Sequence, residues 1–220
     1  MDLETLLQQL DLEFREFRFG AVKFPLLFGK GLDNSAVHAA GVSYLLALGI
    51  EFGLSSIAGY PITVHADDHW KTLGKIMPDA VWFHPQTNQP WVAFEFERFE
   101  TGDELKIKDK AKNLALSYYQ SKQSIEACVL IYWLRSGFAP KAIDPITNIF
   151  IKGFLANQMT IPPPQCRFLA YKFVLSQTNQ LQQPPNARWV GEVRGLYQNG
   201  SESIGNLVVS SASRVVGETG

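Results

Sequence analysis

The run from Ala127 to Leu134, ACVLIYWL, carries no charge and offers no polar alternation. A strand of that kind has no wet side, so it belongs in the interior of a sheet covered on both faces. Directly ahead of it, a helix opening near Glu104 places Ile107, Ala111, Leu114, Ala115 and Tyr118 on one side, at the i, i+4, i+7, i+8, i+11 spacing of an amphipathic stripe. Thr101-Gly-Asp-Glu104 resembles the capping box that starts such a helix. A helix feeding a buried strand is a crossover between parallel strands. The chain is therefore expected to be α/β.

The residues ahead of that unit extend the pattern. Residues 2–18 alternate leucines with Gln, Glu and Arg at helical spacing, which predicts a short outer helix. Asp33, Asn34 or Ser35 can cap a second helix over about 36–50, with Val37, Gly41, Tyr44, Leu45 and Leu48 on its packed face. Ile57 to His65 reads as a first strand that Pro61 confines to an edge or a bulge. Lys75 to Phe83 and Trp91 to Phe99 read as the second and third, separated by the turn HPQTNQP. In the third, Trp91, Ala93, Glu95 and Glu97 share one face, while Val92, Phe94, Phe96 and Phe99 serve mainly the other. Beyond Leu134 the pattern predicts a helix over 143–157, an extended Pro162–Pro164 linker and a strand over 166–175. A terminal hairpin is expected from 188–197 and 206–209. The expected division is an N-terminal helical extension (1–34), a core domain (35–175) and a C-terminal hairpin with a flexible tail (176–220).

Composition narrows the class. With 220 residues, 46% hydrophobic and 19% charged, the chain has the size and balance of one globular domain. Cys128 and Cys166 both sit in apolar runs and read as buried free thiols. The N-terminus is acidic and amphipathic, unlike a signal peptide, and the apolar stretch Ala36–Ile50 is too short to span a bilayer. A cytoplasmic protein without membrane partners is expected. The net charge of −1 gives no global attraction for nucleic acid, which must rest on a local patch.

The chemistry concentrates between Pro78 and Gln120. Glu95 and Glu97 are two apart in a strand, so their carboxylates leave the same face from bases about 6–7 Å apart. Two acids side by side in an apolar strand repel unless a positive charge lies between them. Asp79 closes the preceding strand, where a neighbouring position brings it within reach of Glu95. Three converging carboxylates without Cys or His favour a hard cation, Mg²⁺ or Mn²⁺, which polarises a phosphodiester and acidifies the attacking water. The bland alternative is a wet hairpin face with each acid paired to a lysine. Covered sheet faces, and Trp91 and Ala93 beside the acids, weigh against it. Between Lys106 and Lys122 five lysines accompany one acid, either a solvated helix face or a surface that tracks phosphates. HADDH at 65–69 and His84 read as polar turns, and Glu51 as at most an outer carboxylate.

At these residues the chain resembles the PD-(D/E)xK nuclease superfamily: Pro78-Asp79, then sixteen positions on Glu95-Phe96-Glu97, then a helix with lysines. The order helix, three strands, helix, strand over about 35–135 also looks like that superfamily's restriction-endonuclease-like core, here with C-terminal β additions. The resemblance implies that Asp79 and Glu95 are metal ligands and that the third position is a lysine orienting the nucleophile. Glu97 stands there instead. Some members carry an acid at this place and others move the lysine to the following helix, where Lys108 and Lys112 are the candidates for a relocated base or phosphate contact. The stretch is also similar to nuclease-like domains of the replication-relaxation type, which carry a histidine in the first helix that His38 matches.

The expected function is Mg²⁺- or Mn²⁺-dependent endonuclease hydrolysis of DNA, with Asp79, Glu95 and Glu97 at the metal and Lys108 or Lys112 near the phosphate. Lys106, Lys108, Lys110 and Lys112 would form the DNA-binding face, with a homodimer left open. The alternative is an inactive nuclease-like domain that binds DNA or a protein. A further rival is a purely structural protein with Glu97 and Arg98 in surface ion pairs.

Overall fold

The structure is a computed structural model that describes residues 1–28, 33–100, 102–134, 144–175 and, for the backbone alone, 186–193. Among the described residues the sequence pattern translates into six α-helices, α1 (Leu3–Glu16), α2 (Arg18–Lys23), α3 (Asn34–Glu51), α4 (Asp68–Lys71), α5 (Glu104–Gln120) and α6 (Asp144–Lys152). The strands among the described residues are β1 (Ser55–Ala58), β2 (Ala80–Phe83), β3 (Pro90–Arg98), β4 (Ala127–Leu134), β5 (Phe154–Ala156), β6 (Met159–Ile161), β7 (Arg167–Val174) and β8 (Asn186–Val193).

Six strands form one mixed sheet in the order β1-β2-β3-β4-β7-β8. β1 pairs antiparallel with β2 and β2 with β3, β3, β4 and β7 run parallel, and β8 returns antiparallel to β7. The protein is thus mixed α/β. As its sequence demands, β4 lies inside the sheet and is buried along its whole length. Its Ala127, Val129, Ile131 and Trp133 face the core under α1 and α3, and its Cys128, Leu130, Tyr132 and Leu134 face the core under α5 and α6. The two thiols are free and buried, with Sγ atoms 3.7 Å apart.

The N-terminal helix is anchored on the sheet. Leu6, Leu7, Leu10 and Phe14 of α1 are buried, and the Phe14 ring meets Tyr171 of β7 edge-on at 4.8 Å. The buried Glu13 accepts hydrogen bonds from the N–H groups of Phe19 and Gly20 and from the Tyr44 hydroxyl, which ties the start of α2 and the middle of α3 to α1. α3 is capped by the Asp33 carboxylate, which accepts from the Ala36 N–H at 2.7 Å. The helix lies close on β3 because Gly41 has no side chain: the Phe96 ring fills the space where a Cβ would stand.

Several elements depart from expectation, each for a local reason. The first strand stops at Ala58, and Ile62–His65 forms a 3₁₀ turn, because Pro61 has no N–H for a ladder. The helix predicted over 143–157 stops at Lys152. Gly153 follows at φ +73, and a β5–β6 hairpin turns through Asn157 and Gln158, both at positive φ. Phe99 packs on the α5 side rather than with Phe94 and Phe96. A register shift between Trp82 and Phe83 leaves Trp91 without a β2 partner, and Trp91 packs on the α3 side, away from the acids. Of the expected terminal hairpin, 186–193 instead pairs with β7, and 206–209 lie outside the described residues, as does Thr101 of the capping motif. No helix among the described residues is long and apolar enough to cross a membrane.

Candidate functional site

Register alone brings the acids together. Ala80 of β2 faces Phe94 of β3, so Asp79, one residue before β2, lies beside Glu95 and Phe96. Its Oδ2 accepts from the Phe96 N–H at 2.8 Å, closing the β2–β3 ladder with a side chain where the backbone pairing ends. Its carbonyl accepts from the Gly59 N–H, just beyond β1. On β3, Glu95 and Glu97 share the parity of Ala93 and therefore face α5. Their register partners on β4 are Leu130 and Tyr132, both buried, which stand beside them on the same face of the sheet.

The resulting burial is severe. Glu95 is 0% exposed and Glu97 8%. The cation they need comes from α5, but not from the lysines that the resemblance singled out. Lys110 reaches into the group, with its Nζ 2.6 Å from Glu95 Oε2, 3.7 Å from Glu97 Oε2 and 3.8 Å from Asp79 Oδ2. Lys106, one turn earlier, pairs with Glu97 Oε1 at 2.7 Å. Lys112 is instead held by Asp109 at 2.7 Å, and Lys108 forms no ion pair among the described residues. The expected basic face is thus divided: Lys106 and Lys110 serve the carboxylates, Lys108 and Lys112 do not. From α3, His38 brings Nε2 to 3.6 Å from Asp79 Oδ1.

The charges respond to this crowding in different directions. Burial, then the neighbouring charge of Asp79, pushes the Glu95 carboxyl well above the usual range, against the pull of Lys110. Burial also opposes the charge on Asp79, but the close His38 ring, the Lys110 ammonium and the Phe96 N–H together hold it below its ordinary value. His38 is raised, chiefly by its contact with Asp79. Lys110 is raised too: burial works against its charge, and the carboxylates around it outweigh burial. Two neighbouring carboxyl groups pushed in opposite directions are the pattern of a site that handles a proton or a cation.

The fit of a hard cation can be judged on the donor set. One Glu95 oxygen, Oε1, is buried without a hydrogen-bond partner. A buried carboxyl oxygen left in that state costs stability unless a donor or a cation satisfies it. Asp79, Glu95 and Glu97 present only oxygen, as Mg²⁺ and Mn²⁺ prefer. As folded, with the Lys110 ammonium among them, they do not stand as a ready metal cage, and no other group of three His, Cys, Asp or Glu does so among the described residues. The donor chemistry fits, with the centre taken by a lysine.

The remaining histidines have local work. His65 Nε2 is 2.8 Å from the Tyr60 hydroxyl, and in the same HADDH stretch Asp67 pairs with Lys122 and Asp68 with Lys71. His84 Nδ1 accepts from the Gln86 N–H inside the β2–β3 turn. Glu51 is exposed at the end of α3. The residue that sequence reasoning misplaced is Lys110. Successive helix residues turn by about 100°, which sets Lys110 some 60° from Ile107 at the edge of the apolar stripe, whereas Lys108 and Lys112 fall about 100–140° away on the other side. Comparison with protein-family models, with curated proteins and with solved structures gives no match for this chain.

Proposed function

We propose that the protein is a metal-dependent nuclease with a restriction-endonuclease-like core, acting on DNA phosphodiesters at the Asp79–Glu95–Glu97 cluster. The observation that carries this reading is the fully buried Glu95, one oxygen unpartnered, set between two further acids. A structural surface pair does not account for it, since exposed acids reach lysines without desolvation. The element order α3-β1-α4-β2-β3-α5-β4, antiparallel from β1 to β3 and parallel from β3 to β4, supports it.

Asp79, Glu95 and Glu97 would hold the ion. A divalent cation supplies Lewis-acid polarisation of the phosphodiester and a more acidic attacking water. Lys110 takes the part of the motif lysine, presented from the helix while Glu97 holds the strand position. Its ammonium donates to a phosphate oxygen or orients the nucleophile. His38 holds Asp79 ionised. The first turns of α3 and α5 lie at this end of the sheet, Asn34 turning its oxygen to the Arg98 guanidinium and Lys106 reaching Glu97. Helix starts carry partial positive charge, which suits an anionic substrate.

One observation favours a second reading. Glu95 and Glu97 each have a close lysine, at 2.6 and 2.7 Å, so the acids are already neutralised within the chain. A nuclease-like domain that binds DNA or a protein without cleaving it would look the same. Calorimetry with Mg²⁺ and Mn²⁺ on the wild type, Asp79→Ala and Glu95→Ala, beside a plasmid-cleavage assay, separates the two. Binding and cleavage lost in both variants support the nuclease. Binding indifferent to both substitutions removes the metal mechanism, and binding without cleavage of any DNA form leaves the binding module.

A further inference from the structure

The Lys110 ammonium and a divalent cation would compete for the same oxygens. Nζ lies within 4 Å of an oxygen from each of Asp79, Glu95 and Glu97, and Lys106 already holds Glu97 from its other oxygen. The cluster therefore carries two ammonium groups against three acids before any ion arrives. Like charges at contact distance in so buried a place repel strongly, and the buried Leu130 and Tyr132 stand beside the acids on the sheet.

We propose that Lys110 is a tethered counter-cation: its ammonium occupies the carboxylate cluster until a divalent cation displaces it, so that ion entry and release of Lys110 toward the cleft are one event. The proposal rests on the metal-dependent reading above and concerns how that same site is kept and opened.

The geometry supplies both halves of such an exchange. Lys110 enters from the flank of the α5 stripe, and its side chain is 23% exposed, so the ammonium has a route outward along its own stem. That stem is a flexible four-carbon chain ending in a compact charge, which can swing without moving the helix. The Glu95 Oε1 left unpartnered marks what a single ammonium cannot satisfy and a multiply coordinating ion can. A site already filled by a tethered competitor binds its ligand more weakly than the same site emptied, by the fraction of time it is occupied.

The test uses Mn²⁺ alone on the full chain, with calorimetry and thermal unfolding as readouts. The variants are Lys110→Gln, Lys110→Met and, as a control outside the cluster, Lys112→Met. Lys110→Gln keeps a donor for Glu95 and decides the matter should the methionine variant fail to fold. The expected result is Mn²⁺ binding about tenfold or more tighter in both Lys110 variants, the factor that about 1.4 kcal/mol of relieved repulsion produces. Without metal their melting temperatures should fall below wild type, and saturating Mn²⁺ should raise them by more than it raises wild type. Lys112→Met should match wild type in both respects. Equal or weaker binding in the Lys110 variants, with wild type binding normally, overturns the counter-cation while the metal site stands. No binding by any protein, wild type included, overturns both together.

Discussion

Substitution of Glu95 by Gln tests the electrostatics of the cluster without touching its shape. The glutamine is nearly isosteric, keeps a carbonyl oxygen for Lys110 and does not titrate. Glu95 is 0% exposed, and burial first, then Asp79, hold its carboxyl well above the ordinary value of 4.5. A carboxyl raised by folding binds more protons in the native state than in the unfolded chain. Its contribution to stability is therefore present at low pH, and is lost as pH climbs from the unfolded value through the folded one. One such proton gives a slope of about 1.4 kcal/mol per pH unit across that window. Wild type should accordingly lose stability relative to Glu95→Gln as pH rises, with the smallest difference near about pH 5 and the largest above the folded value.

The neighbouring groups do not imitate this signal. His38 is raised by Asp79, so its contribution is present below its ordinary value of 6.5 and lost as pH rises through the folded one. That loss has the same sign, but it occurs in both proteins and cancels in their difference. Asp79 is lowered, so its contribution is present above its ordinary value of 3.8 and is lost only as pH falls through the folded one, on the acid side. Urea unfolding of both proteins in metal-free buffer, at unit steps from about pH 5 to about pH 8, reads the difference directly. A difference that stays flat over that range, or wild type gaining on the variant as pH rises, refutes the assignment of a raised carboxyl to Glu95.

Two further predictions concern how the site is held. Gly41→Ala drives a methyl into the Phe96 ring, which stands 2.1 Å from the position of the new Cβ, and should cost about 1–3 kcal/mol in urea unfolding by forcing α3 off β3. Because His38 rides on α3, that variant should also weaken metal binding, and an unaltered melting temperature would show that the contact is not close. Glu13→Ala leaves the Phe19 and Gly20 N–H groups and the buried Tyr44 hydroxyl without their acceptor. The expected loss is about 2–4 kcal/mol by thermal or urea unfolding, with Glu13→Gln losing less because its carbonyl still accepts.

Much of this protein is legible in its residues. The uncharged run Ala127–Leu134 requires a doubly covered strand, and the α5 stripe requires a helix beside it, because backbone period and burial are local properties of a chain. The period of two in β3 likewise fixes Glu95 and Glu97 on one face, whereas Asp79, expected to close a strand begun at Lys75, stands just ahead of β2. Single-chain periodicity also misled in definite places. It missed the turn after Gly59 that shortens β1 and the hairpin after Gly153, where Pro61 and the positive φ of Gly153 act locally, and it could not see Trp91 turning to the α3 side, which depends on how β3 pairs with β2.

The choice of cation belongs to the tertiary structure alone. Four lysines at alternate positions are alike in sequence, and only the rotation of α5 about its axis, set by Ile107, Ala111 and Leu114 against the sheet, delivers Lys110 to Glu95 and Lys106 to Glu97. The raised Glu95 carboxyl and the lowered Asp79 carboxyl are decided at the same level. A charge is shifted by what surrounds it in space, and here that is burial beside the apolar side chains of β4, a histidine from α3 and an ammonium from α5.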